Sequence, residues 1–155
     1  MVNLLYLCPN LEYTLVMIEI LKIKSTTYAI IIRSNAIANK SSFLTKHKDE
    51  QQIGLLVLKK NLIIDPHYHK KTKRIIENTS EILIIKKGKL RIDLYDVKFN
   101  YFKSSILKKN DVILILHGSH GFKILEDSVV IECKQGPFID NKTNINFIEE
   151  KNINL

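Results

Sequence analysis

The chain has 155 residues, 45% of them apolar, with a formal net charge of +8 and two cysteines, Cys8 and Cys133. That length supports one domain with a real core and leaves little room for two, and the composition excludes a disordered chain. Two distant cysteines exclude a disulfide framework and a zinc ribbon, and fit a reducing cytoplasm. The charge is carried almost wholly by Lys, with Arg only at 33, 74 and 91, and the cations are scattered through every segment. No aromatic series is interleaved with them as a single-strand binder requires, so nucleic acid is not the expected partner.

The apolar stretch from Leu11 to Leu21 is broken by Glu12 and Glu19 and followed by Lys22 and Lys24. It offers neither a membrane-length span nor a leader with basic and apolar regions, so a cytoplasmic protein is expected. Beyond it, short runs of Ile, Val, Leu and Tyr alternate with turn residues, the pattern of an all-β domain. Expected strands are Tyr28–Ile32, Gly54–Leu58, the segment around His67–His69, Glu81–Ile85 and Lys89–Tyr95. Ser104–Leu107, Val112–Leu116, Gly121–Leu125 and Val129–Lys134 follow. Lys86-Lys87-Gly88-Lys89 reads as a hairpin turn with Gly at positive φ, and Asn110-Asp111 and Glu126-Asp127-Ser128 as further turns. Val112–Leu116 is apolar on both faces and is expected to be buried on both, whereas Lys89–Asp96 alternates and should keep one face wet. Cys133 falls in an apolar run and reads as a small core residue. Asn141–Leu155 reads as an edge strand or a tail.

Among these runs stand His67, His69, Glu81 and His120, three imidazoles and a carboxylate. Residues two apart in a strand share a face, so His67 and His69 can both face inward while Tyr68 faces away to pack. Such a mixed set with open coordination positions suits one divalent transition metal, Fe, Mn, Ni, Co or Zn. Three neutral imidazoles and one carboxylate leave such a site near +1, which favours an anionic or chelating oxygen ligand.

His67-x-His69 with Glu81 and Gly88 resembles the first cupin motif, and Asn110-Asp111 with Gly118-Ser119-His120 the second. More narrowly, His67–Lys70, Arg74, Thr79–Glu81, Gly88, Asp93–Asp96, His120–Phe122 and Lys134–Phe138 resemble a cupin subgroup met among bacterial surface-polysaccharide genes. The resemblance implies a single-domain jelly-roll barrel of two antiparallel sheets, a metal held by His67, His69, Glu81 and His120, and a homodimer. Its extent implies a cupin domain over 17–155, with 1–16 a non-core extension or a start assigned upstream of Met17. The chain departs from the general pattern in several places. Lys70 to Ser80 is a longer spacer than usual, the Gly before His67 is missing, and His117 competes with His120 as fourth ligand. The His-Gly-Phe context favours His120. If the spacer folds over the barrel mouth, Arg74 is placed to clamp a carboxylate or phosphate; otherwise it is a surface Arg.

Three functions fit these readings. One is a metal-dependent enzyme acting on a small oxygenated or sugar-derived molecule. The second is a non-catalytic module binding a small anionic or carbohydrate ligand. The third is a metal-free epimerase or isomerase of nucleotide-linked sugars, with His as base and Tyr as acid.

Overall fold

The computed structural model describes residues 17–137, so the expectations for 1–16, Phe138 and 141–155 lie outside the described residues. Within it the chain is all β, in the order β1 (Ile18–Ile23), β2 (Thr26–Ile32), β3 (Ser42–Phe43), β4 (Gly54–Leu55), β5 (Glu81–Tyr95), β6 (Tyr101–Lys108), β7 (Val112–Ile115) and β8 (Ser119–Lys134). Among the described residues, no helix is long and apolar enough to cross a membrane. β3 and β4 form a small sheet of their own; the other six strands form one curled antiparallel sheet.

That sheet is organised around β5. Along one edge β5 pairs with β8 over its whole length, from Glu81↔Lys134 to Tyr95↔Ser119. Along the other edge its first half pairs with β7 and its second half with β6. Both β6 and β7 run antiparallel to β5, so residues 109–111 do not reverse the chain; they kink one continuing path. The same holds for the Lys86–Lys89 segment, where a hairpin was expected. Glu81–Ile85 and Lys89–Tyr95 continue in one direction through a bulged corner, with register shifts between Ile85 and Leu90. The positive φ expected of the glycine is present, +84° at Gly88, but it bends the strand instead of turning it back. A bulge adds a residue on one strand and sharpens its twist. β8 passes the same corner at Glu126–Val129 without ending, so the expected turn there is also a bend within a strand.

The core lies on one face of this sheet. Ala29, Ile31, Leu83, Ile85, Leu90, Ile92, Leu94, Leu107, Ile113 and Ile115 form a single buried cluster. Their spacing within β2, β7 and each half of β5 is every second residue, the strand period, with the step from Ile85 to Leu90 falling across the bulged corner. Ile30 and Leu114, on the opposite face by that period, are also fully buried. The double-sided burial expected of Val112–Leu116 therefore holds, and β7 is also paired along both edges, with β2 and β5. The face of β5 expected to be wet is less so, because Asp93 is buried at 6% exposure. Its carboxylate accepts a hydrogen bond from Arg91 Nη2 at 2.8 Å and one from Ser104 Oγ.

The corner is held by a polar hub. Asp111, 3% exposed, accepts hydrogen bonds from Arg33 Nη1 at 2.9 Å, Ser34 N–H at 2.9 Å and Lys108 N–H at 3.0 Å. Arg33 also donates to Glu19 from Nε at 2.9 Å and to the Ile106 carbonyl at 2.6 Å. Desolvation of Arg33 works against its charge, yet its bonds to Glu19 and Asp111 outweigh it and hold the guanidinium above its ordinary pKa. Two further expectations fail, one of burial and one of strand extent. Cys133 is exposed, because β8 is an edge strand. Gly54–Leu58 is a strand only at Gly54–Leu55.

Candidate metal site

Curling brings the two ends of the β5–β8 ribbon together. Glu81 opens β5, and His120 sits near the start of β8, opposite Leu94 at the far end of β5. A flat ribbon of that length would separate them by roughly 40 Å at about 3.3 Å per residue. Instead His120 Nε2 lies 3.1 Å from Glu81 Oε2, with the two side chains 24% and 20% exposed. The corner at Gly88 supplies the bend. A second glycine closes the gap: Gly118, with φ +77°, lies so near Tyr95 that a Cβ there would stand 2.2 Å from its carbonyl oxygen and 2.9 Å from the Tyr28 ring. Only glycine lets the chain pass that close.

The hydrogen bond from His120 holds the Glu81 carboxyl below its usual pKa, against the opposing effect of burial, with the charges of His120 and Lys134 adding to it. Glu81 is thus kept ionised at neutral pH. The Phe122 ring stands edge-on to His120, centroids 5.2 Å apart, and forms one apolar wall. His117 is turned elsewhere, its ring 6.2 Å from that of Tyr28. Of the two competing histidines, His120 is the one beside Glu81.

His67 and His69 lie apart from this pair. The stretch around them is not a strand, so alternation does not set its side chains, and Tyr68 is 82% exposed. Every residue from 56 to 79 is exposed, and the segment forms a long arm without regular structure. Within it the His67 and His69 rings are 5.5 Å apart, and His67 Nδ1 lies 3.0 Å from the Asp65 carbonyl oxygen. Arg74 is exposed in the same arm. Among the described residues, no group of three or more His, Cys, Asp or Glu side chains is close enough to hold a metal. The four expected ligands therefore come as two pairs, His67 with His69 and Glu81 with His120.

The arm is rooted beside the second pair by residues that the sequence did not single out. Glu50 accepts hydrogen bonds from the N–H groups of Glu77 and Asn78, each at 3.0 Å, and these lower its pKa. Next to Glu81, the buried Ser80 donates its N–H to Gln135 Oε1 at 2.9 Å, and Gln135 Nε2 reaches Gln51 Oε1 at 3.3 Å. Side-chain amides contacting distant backbone have no periodic signature, so nothing in the spacing could have flagged them.

Comparison with protein-family models, with curated proteins and with solved structures finds no match to this chain.

Proposed function

We propose that this chain is a cupin-type jelly-roll protein that binds one divalent transition metal (Fe, Mn, Ni, Co or Zn) through His67, His69, Glu81 and His120. The observation that carries the reading is the Glu81–His120 pair: an ionised carboxylate and an imidazole, half-buried at 3.1 Å, brought together from opposite ends of a bent ribbon. The donor chemistry fits, since imidazole nitrogen with carboxylate oxygen suits this group of metals. His67 and His69 complete the set when the arm moves its paired rings to the sheet. A metal so held supplies Lewis acidity, or oxygen chemistry if it is iron. Its natural ligand is a small oxygenated, anionic or sugar-derived molecule, with Arg74 on the same arm available to clamp a carboxylate or phosphate. The protein is read as a cytoplasmic homodimer. The association of its subgroup resemblance is with surface-polysaccharide synthesis, and no side chain here selects between an enzyme and a non-catalytic binding module.

One observation favours a second reading. A carboxylate bonded to one imidazole nitrogen orients the ring and leaves the other nitrogen as a base, the arrangement a metal-free sugar epimerase or isomerase needs. Elemental analysis of the purified protein after metal reconstitution separates the two. About one metal per chain, lost in Glu81→Ala and in His69→Ala, supports the metal reading; a metal-free wild type transfers the site to the second.

A further inference from the structure

One small hairpin holds both ends of the long arm. β3 pairs with β4 through Ser42↔Leu55 and Phe43↔Gly54. The loop between them is closed by Leu44 N–H on the Ile53 carbonyl and by Gln52 Nε2 on the Lys46 carbonyl, each at 2.8 Å. At the open end of this hairpin, where the arm begins, Ser41 Oγ accepts the Val57 N–H at 2.8 Å. At its loop end, where the arm ends, the two oxygens of Glu50 take the Glu77 and Asn78 amides, one each. Hydrogen bonds to an ionised carboxylate are stronger than neutral ones. The neighbouring Gln51 ties the same loop to Gln135, just past β8. Residues 58–76 therefore hang from two points of one unit.

The second of these roots stands at the lip of the Glu81–His120 pair. Glu77 is four residues from Glu81, at most roughly 14 Å of extended chain. Beyond His120 the core face of the sheet continues onto β8 through Phe122 and Ile124, which pair with the core residues Ile92 and Leu90. Yet Phe122 is 42% and Ile124 58% exposed, so this apolar floor beside the pair is uncovered among the described residues. The arm carries a matching cover: Leu62, Ile63 and Ile64 form an apolar run, each more than half exposed. The middle of the arm is about ten residues from either root, a reach of up to about 35 Å, and Phe122 stands only two residues past His120. A strip tied at both ends meets its own sheet at an effective concentration of about millimolar, which a separate copy at roughly micromolar concentration does not match.

We infer that residues 58–76 are a lid for their own chain, closing on Phe122 and Ile124 and shutting water from the Glu81–His120 pair, with Glu50 as the positioning residue that holds the lid's root. Closing a lid strengthens every polar interaction beneath it by removing competing water. The inference does not depend on a metal: the pair is shielded alike whether it holds an ion or orients a base.

Disulfide trapping tests it, in the full chain carrying Cys8→Ser and Cys133→Ser. Leu62→Cys, Ile63→Cys and Ile64→Cys are each combined with Ile124→Cys or with Lys123→Cys. Lys123 pairs with Arg91 and so faces the opposite side of the same strand. Under mild oxidation at least one arm position should bond to position 124 at least about tenfold faster than to position 123, within one chain and at a rate independent of protein concentration. Equal rates at the two positions describe an arm that wanders, and products of doubled mass describe contact between copies. Either result overturns the lid, as does the absence of any bond to position 124. Glu50→Ala tests the root. It should speed amide exchange at Glu77 and Asn78 about tenfold or more and reduce the preference for position 124, while Glu50→Gln, with one acceptor left, keeps one of the two amides protected. An unchanged preference in Glu50→Ala, whatever the exchange, overturns the positioning role.

Discussion

Asp111→Ala is the change expected to damage this fold most for its size. The carboxylate is 5% exposed and serves three donors at once: Arg33, Ser34 N–H and Lys108 N–H. Truncation leaves two partly buried amides without acceptors, at about 1–3 kcal/mol each when water cannot replace the lost partner. It also breaks a partly buried ion pair, for which removal of one member costs about 3–5 kcal/mol when nothing compensates. Arg33 compensates in part, since it is 22% exposed and keeps Glu19 and the Ile106 carbonyl. The terms overlap, and a net loss of about 3 kcal/mol is expected, a large share of the roughly 5–15 kcal/mol available to a domain. Asp111→Asn keeps an acceptor of the same shape and should lose about half as much. Urea unfolding followed by circular dichroism measures both. Arg33→Met on the Asp111→Ala background should cost clearly less than Arg33→Met alone, since the two share one interaction. If Asp111→Ala loses less than about 1 kcal/mol with an unchanged denaturant slope, the hub does not hold the corner and the reasoning fails.

Gly88→Ala should cost about 2 kcal/mol or more, because φ is +84° and the new Cβ would stand 2.3 Å from the Asp127 carbonyl oxygen; a midpoint shift under a few tenths of a molar urea would contradict the bent-corner account. Asp96 accepts hydrogen bonds from the Asn100 side chain at 3.1 Å and the Asn100 and Lys98 amides at 2.9 and 2.8 Å, which hold its pKa below the usual carboxylate value. The turn is therefore supported above the unfolded pKa and released as pH falls through the lower folded one. Hydrogen exchange at Lys98 and Asn100, corrected for its intrinsic pH dependence, should speed up in that acid window, and no such rise would remove the role given to the carboxylate. Gly118→Ala should strain the approach to Tyr95 and so separate His120 from Glu81; loss of metal affinity beyond any loss of stability is the expected reading, and unchanged affinity contradicts it.

Most of the strand content was legible because it rests on composition and a two-residue period. β2, β6 and β7 stand close to where apolar runs placed them, and Gly88 has the positive φ its position implied. The corners were misread for a physical reason: glycine and polar residues signal a backbone that leaves the ladder, but not whether it reverses or bends and goes on. At Lys86–Lys89 and Glu126–Ser128 it goes on. β1 was missed because its Glu19 and Lys22, with Lys24 just after it, made the segment read as a broken apolar stretch instead of an edge strand. Of the site, the association of Glu81 with His120 came from the motif resemblance, and the bend near Gly88 that brings them to 3.1 Å was read as a hairpin instead. The placement of His67 and His69 did not follow, because alternation applies only inside a strand, and residues 56–79 form none. Cys133 was assigned to the core from its apolar neighbours; on an edge strand the same neighbours are exposed.

The central claim is that Glu81 and His120 belong to a metal site completed by His67 and His69. Elemental analysis of wild-type protein beside Glu81→Ala and His69→Ala, each first shown to be folded, tests it most directly. The expected result is about one transition metal per chain in the wild type and essentially none in either variant. A wild type that stays empty after reconstitution, or a full metal complement in folded Glu81→Ala, would contradict it.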